Sequence, residues 1–420
     1  MIPPQVQKYL DSRGLLHPWR IEGKEQGIFD GAVVIPALAE GEHLFKTLEC
    51  LARNPLDALD RFLILVVVNH REDSPLQDKA DNDRTLQRLT QEGVRSLHLA
   101  WVDGATREKE FPRKGGGVGM ARKIGLDLAL TRLHFRNHPP LLISLDADTL
   151  VRPDYLPALI RHFETAAPPG AVIPFCHQPG ATLEEDRAIQ RYELFLRVYV
   201  LGLGRAGSPY AFHTVGSTMA CTALGYVRMG GMNTRMAAED FYFLQHLART
   251  GGVGQVKGTV VYPSARPSHR VPFGTGRIIG KLLAGEEEAV LFHRKESFQI
   301  LKDWLNLVSS NPAAQGEDLR DRAERISPHL AVFLDKNQFT ATWLKLKKNF
   351  RDPAKLLSAF HGWFDGLKTM KLIHHLAAGP LPNGKPEEIM PGLLEWSGLP
   401  PMTGVKEQLS LLRQTQMAIS

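Results

Sequence analysis

Leu141-Leu-Ile-Ser-Leu-Asp-Ala-Asp-Thr-Leu150 is the stretch on which the reading of this chain turns. Its apolar beginning, set off by Pro139 and Pro140, predicts a short buried strand, and that strand ends in two carboxylates one residue apart, Asp146 and Asp148. In an open α/β sheet ligands collect beyond the carboxyl ends of the strands, so acids at that end are placed to face a substrate. Carboxylate oxygens are what hard cations prefer, and Mg²⁺ is usually held by one or two of them together with substrate phosphate oxygens. The competing reading is that both aspartates simply stop the strand as turn formers before Pro153.

Upstream, Gly31-Ala-Val-Val-Ile-Pro36 and Phe62-Leu-Ile-Leu-Val-Val-Val68 predict two further strands, the second apolar throughout as expected when both faces are covered. Leu44, Leu48 and Leu51 recur at helical spacing between them. A helix around Thr85 to Glu92, a strand around Ser96 to Val102 and the loop Arg113-Lys-Gly-Gly-Gly-Val-Gly119 follow, and the helix after the loop leads to the acidic strand. Downstream, Tyr155 to Thr165 and Leu183 to Leu203 predict helices on either side of a strand at Ala171 to Cys176. Val215 to Ala223 is a run of small residues suited to lining a pocket, and a second acidic pair, Glu239-Asp240, opens a helix reaching about Thr250. Two strand-like pieces, Val253 to Val256 and Thr259 to Tyr262, precede Ser268-His269-Arg270. Strands alternating with helices predict an α/β fold with a mostly parallel, doubly wound sheet.

Beyond about residue 276 the strand signals fade and helical stretches take over, at Ser297 to Val308, Gln338 to Phe350 and Ala354 to Leu376. The expected division is an arm at 1–28, an α/β domain at 29–275 and a mostly helical region at 276–420. The tail carries Trp343, Trp363 and many lysines; packing against the α/β domain explains these residues more simply than lying on a membrane, though a peripheral membrane contact stays open.

With 43% hydrophobic and 23% charged residues over 420 positions, the composition is that of a soluble globular protein. No run approaches the roughly 18 consecutive apolar residues a membrane span needs. The start Met-Ile-Pro-Pro-Gln-Val-Gln-Lys lacks a basic n-region and an apolar h-region, so the expected location is cytoplasmic. Cys50, Cys176 and Cys221 have no metal-ligand spacing. A net charge of +6, spread along the chain, suits a phosphorylated ligand better than duplex DNA, and no nucleic-acid partner is expected.

The glycine loop matches neither familiar phosphate binder: Arg122 stands where the dinucleotide fingerprint needs glycine, and no Gly-Lys-Ser/Thr is present. Its amides, with Arg122 and Lys123 at a helix start, are nonetheless suited to a phosphate; a surface turn with solvated bases explains them equally well. Glu239 and Asp240 in a first helical turn are likewise explained by the helix dipole alone. A lone histidine such as His269 is ordinarily a surface or core residue.

Taken in order, Ile35-Pro-Ala-Leu-Ala-Glu40, Val66-Val-Val-Asn69, Gly119-Met-Ala-Arg122-Lys-Ile-Gly125, Leu145-Asp-Ala-Asp-Thr149, Gly216-Ser-Thr-Met-Ala, Gly230-Gly231 and Glu239-Asp240 resemble the family 2 glycosyltransferases of the GT-A fold, over roughly residues 30 to 270. The resemblance implies a Rossmann-like sheet flanked by helices and a metal-dependent enzyme that moves one sugar from a nucleotide-sugar donor to an acceptor hydroxyl with inversion. The donor would lie against Pro36, Glu40, Asn69, Gly119, Arg122, Lys123 and Asp146, and a divalent cation, Mn²⁺ or Mg²⁺, on Asp148 and Asp146 with His269 as a third ligand. Asp240, or Glu239 if the register differs, would be the general base, and the acceptor a small molecule, a glycan or a lipid-linked sugar. The chain departs from the family where Leu38-Ala39 replace Tyr-Asn, Asn69 replaces a base-contacting Asp and Lys123 replaces Asn, positions that bear on the nucleotide more than on the fold. Two alternatives remain: a sugar-phosphate nucleotidyltransferase, whose Gly/Arg/Lys signature would normally occupy Pro36-Ala-Leu-Ala, and a non-catalytic nucleotide-sugar-binding relative.

Overall fold

The computed structural model describes residues 2–23, 26–91, 94, 96–136, 138–165, 167–236, 238–268 and 274–417. Its strands are β1 (Ile21–Glu22), β2 (Gly31–Ala37), β3 (Phe62–Asn69), β4 (His98–Gly104), β5 (Leu141–Ser144), β6 (Leu150–Val151), β7 (Gly170–Val172), β8 (Met219–Thr222), β9 (Val253–Gln255) and β10 (Val261–Tyr262). Eight of them form one sheet in the order β1-β4-β3-β2-β5-β8-β7-β9, and β6 pairs with β10. The four central strands β4, β3, β2 and β5 are parallel, so the carboxyl ends of all four open on one edge. Beyond them the sheet is mixed: β8 runs antiparallel to both β5 and β7, while β9 is parallel to β7.

β8 corrects one sequence expectation. Met219-Ala-Cys-Thr222 is a strand inside the sheet; three of its four residues are buried, so no polar/apolar alternation marks it as a strand. Its pairing nevertheless serves the site. Ser144 faces Met219 across the antiparallel ladder, and continuing that register two residues outward brings Ser217 opposite Asp146.

The helices preceding the second acidic pair are α1 (Pro4–Arg13), α2 (Glu42–Leu51), α3 (Leu56–Leu59), α4 (Leu76–Gln91), α5 (Val118–Leu130), α6 (Tyr155–Glu164), α7 (Leu183–Arg205) and α8 (Ala223–Met229); α9 (Glu239–Thr250) carries that pair. β2 and β3 are buried along their whole length, and α5 covers them closely. That approach needs Gly125: a Cβ there would lie 2.3 Å from Val34 Cγ1 and 2.8 Å from Val67 Cγ2. α4 starts well before the predicted Thr85 because its early residues, among them Gln77, Asp78 and Asp81, carry no apolar period; only Asn82, Thr85 and Leu89 are buried.

The chain divides into two compact units, one of Met1–Ile189, Thr214–Gly280 and Gln414–Ser420, the other of Gln190–His213 and Lys281–Arg413. After α10 (Thr275–Leu283), the helices are α11 (Lys295–Ser309), α12 (Gly316–Ile326), α13 (Pro328–Lys336), α14 (Phe339–Asn349), α15 (Pro353–Trp363), α16 (Gly366–Ala377), α17 (Pro386–Trp396) and α18 (Val405–Met417). The second unit has an aromatic core of its own: the Trp304 ring sits 5.0 Å from Phe339 and 5.9 Å from Phe360, edge-on to each. Trp343 is buried in that core, in edge contact with Phe360. The single helix predicted over 354–376 is two, because Asp365 accepts a hydrogen bond from the Lys368 amide (3.0 Å) and so caps a new start. Among the described residues, no helix is long and apolar enough to cross a membrane.

Candidate functional site

Parallel pairing fixes the ends of β2, β3 and β5 at one edge, and each is followed by a candidate residue: Glu40 after β2, Asn69 closing β3, Asp146 and Asp148 after β5. α9 brings the second acidic pair to the same edge. The join is Arg122, on the first turns of α5 and only 3% exposed. Its guanidinium ion-pairs Asp146 through Nη2 and Glu239 through Nη1, while Nε donates to Ser144 Oγ at 3.0 Å. The remaining Asp146 oxygen, Oδ2, accepts from Ser217 Oγ at 3.0 Å. Burial works against the Arg122 charge, but Asp146, Glu239 and Asp240 more than offset it and hold the guanidinium above its usual range.

Glu239 is 4% exposed and paired, whereas the neighbouring Asp240 is half-buried and accepts from its own helix at the Phe241 amide, 2.7 Å away. Burial pushes the Asp240 carboxyl up to about 7, the Glu239 charge pushes the same way, and Arg122 opposes both. Ala238, immediately before the pair, has a left-handed backbone with φ 58°, which sets the chain abruptly into α9. A carboxylate titrating near neutrality beside two fixed charges is suited to taking a proton.

The other acids form a second group. Arg266 donates to Asp148 Oδ2 from Nε at 3.1 Å and from Nη2 at 3.0 Å, and Nη2 also pairs with Glu40. Glu40 stands on a braced loop: the Ala39 amide donates to Asn82 Oδ1 (2.9 Å) and the Gly41 amide to Asp81 Oδ2 (3.1 Å), both acceptors on α4. Asn82 also donates to the Asn69 carbonyl at 2.9 Å, tying the ends of β2 and β3 together. A cleft of about 250 Å³ opens beside this group, lined by Ala39, Gln77, Asp81, Arg84 and Arg266 among others.

The chain is similar, at low identity, to several solved structures. S. aureus TarS 1-349, in complex with UDP-GlcNAc, is 14% identical over 81% of this chain and 92% of that one, with a TM-score of 0.36. Mannosyltransferase PcManGT from Pyrobaculum calidifontis, in complex with GDP-Man and Mn²⁺, is 15% identical over 99% of this chain and 93% of that one, also at 0.36. No family model matches the chain, and no curated protein matches it.

The structure places the expected site residues differently. Asp146, Arg122, Glu239 and Asp240 are brought together, and Asp148 and Glu40 meet on Arg266. Asn69 is 4% exposed at the end of β3, and its Oδ1 has no hydrogen-bond partner among the described residues. Pro36 sits in β2, paired across to Val67.

Lys123 is a correction. Successive helical residues point about 100° apart, and Lys123 donates to Asp127 Oδ2 (2.8 Å) and Tyr9 OH (2.9 Å) in a buried cluster, so its ammonium is committed there rather than to a phosphate. Gly119 is a packing residue: a Cβ would lie 2.3 Å from the Arg235 carbonyl oxygen. Arg122 is in the site but is engaged by acids on both sides, so it organises carboxylates instead of meeting a phosphate directly. His269 lies outside the described residues. Arg266 and Ser217 were missed; neither an isolated arginine in an Ala-Arg-Pro loop nor a serine in a small-residue run carries a local signal.

The fit to a divalent cation is incomplete. Both Asp146 oxygens are engaged, and among the described residues no three His, Cys, Asp or Glu side chains group as a metal cage. Asp148 is the carboxylate that suits a cation, and Arg266 is already on it.

Proposed function

We propose that the chain is a glycosyltransferase that moves one sugar from a nucleotide-sugar donor to an acceptor hydroxyl, with Asp240 as general base and inversion at the anomeric carbon. One observation carries the reading: Arg122 binds Asp146 after β5 and Glu239 on α9 together, so the two acidic clusters meet at one edge of the sheet. The ordered motifs between Ile35 and Asp240 support it independently.

The chain's own residues divide the work. Asp240, titrating near 7, accepts the acceptor's hydroxyl proton as its oxygen attacks the anomeric carbon, and attack from the face opposite the leaving group inverts configuration. Glu239 is instead ion-paired to Arg122. Arg122 and Ser217 hold Asp146 in one orientation toward the donor. The unpartnered Asn69 Oδ1 is a buried acceptor suited to an N–H of the nucleobase. A divalent cation on Asp148 would supply Lewis-acid stabilisation of the departing diphosphate.

The test is a panel of UDP- and GDP-sugars with Mn²⁺, read by melting temperature and by release of nucleoside diphosphate. A ligand that binds only the folded state raises the melting temperature by mass action. At least one donor is expected to do so and to be slowly hydrolysed, with hydrolysis lost in Asp240→Asn and the shift lost in Asp148→Ala. A shift with nucleoside triphosphates alone, with pyrophosphate released, would sink the proposal in favour of nucleotidyl transfer.

A further inference from the structure

Two carboxylates from different loops, Glu40 after β2 and Asp148 after β5, converge on the single guanidinium of Arg266. Both are largely buried, with side-chain exposures of 13% and 21%, so their mutual repulsion is poorly screened by water and calls for a cation between them. A guanidinium holding two carboxylates is electrostatically what a divalent ion would be at the same place, with one charge fewer.

The acids and the cation differ in exposure. Glu40 is fixed through its backbone neighbours by Asp81 and Asn82 of α4, and the Asp148 carbonyl accepts from Gln178 Nε2 at 2.9 Å. Arg266 lies in a stretch without regular secondary structure, and its long side chain borders the open cleft beside Ala39 and Arg84. Of the three side chains Arg266 is the most exposed, at 27%, so the guanidinium has the shortest path to solvent.

We infer that Arg266 is a built-in counter-cation: it neutralises Asp148 and Glu40 and must be displaced before a divalent ion can bind Asp148. The site is thereby kept from taking a metal ion on its own, and loading requires a ligand whose phosphates give the released guanidinium a new anionic partner. Arginine suits this exchange because its fork binds carboxylates and phosphates alike. The inference rests on the glycosyltransferase reading for the identity of the incoming phosphates, but not for the competition itself.

The test uses Mn²⁺ alone on the full chain, without nucleotide, with free Mn²⁺ counted by electron paramagnetic resonance. Arg266→Ala is expected to bind Mn²⁺ at least tenfold more tightly than the unaltered protein, and Asp148→Ala in the same background to abolish the gain. Arg266→Lys keeps a charge without the fork and is expected to fall between. Because removing the cation leaves two acids facing each other, Arg266→Ala should also melt lower without metal and recover with Mn²⁺. Equal Mn²⁺ affinity in the unaltered protein and Arg266→Ala, or a gain that survives Asp148→Ala, overturns the inference. Failure of every nucleotide sugar to bind would overturn the proposed function while leaving these Mn²⁺ results standing.

Discussion

Gly216 and Arg122 are in such close contact that a Cβ on residue 216 would lie 2.1 Å from Arg122 Nη2. The far end of an arginine ordinarily swings aside. Here it is buried and ion-paired to Asp146 and Glu239, so it has nowhere to go without breaking the link between the two acidic clusters. A residue with no side chain thus decides where the charge at the centre of the site sits.

Gly216→Ala is therefore expected to cost about 1–3 kcal/mol, the usual range for overpacking a well-filled interior. Donor hydrolysis should fall much further than stability does, because the displaced guanidinium no longer orients Asp146. Urea titration beside nucleoside diphosphate release separates the two effects; full activity with unchanged stability would show that Arg122 has room to move.

Arg122→Met should be among the most disruptive single changes in the first unit. It leaves Asp146, Glu239 and Asp240 without their shared cation, and breaking a buried pair by removing one partner costs about 3–5 kcal/mol. Pairing it with Glu239→Gln should recover part of that loss, since one of the stranded charges goes too. A double-mutant cycle by thermal or urea denaturation measures the coupling.

Asp240 gives the pH dependence. Its folded pKa, about 7, lies above the value of an exposed aspartate, so between roughly pH 4 and 7 the folded state holds a proton that the unfolded chain has lost. That contribution to stability is fully present below pH 4 and disappears as pH rises through 7. With Asp240 as the proposed general base, activity is expected to run the other way, because such a base works only when deprotonated. The expected profile is kcat/KM rising with an apparent pKa near 7, while Asp240→Asn removes the activity and flattens this part of the stability decline.

Two alanines with left-handed backbones, Ala39 at φ 51° and Ala238 at φ 58°, immediately precede Glu40 and Glu239. For a residue with a Cβ this conformation costs about 1–2 kcal/mol. Ala238→Gly relieves it, offset by glycine's greater entropy loss on folding, for a net gain under about 1 kcal/mol. A small rise in melting temperature with a fall in kcat would show that the strain helps hold Glu239 and Asp240 in place; a rise in both would show that it does not.

The alternation of strands and helices, the strand ends after β2, β3 and β5, and both acidic pairs were legible from the chain alone. Apolar runs bounded by proline and glycine are local signals, and parallel strands force their carboxyl ends to one edge. Arg122 was legible as a residue but not as a role. Whether a basic side chain at a helix start meets a phosphate or carboxylates depends on which elements the fold lays against it, and here those are the end of β5, the turn at Gly216 and the start of α9. Lys123, one position on, was drawn instead into a buried cluster with Asp127 and Tyr9, a partner on α1 far away in sequence. Sequence determined which charges the chain carries and at which strand ends they fall; tertiary structure alone decided which charges neutralise one another, since pairing is a matter of distance through space, and neither Arg266 nor Gly216 announces its partner by spacing.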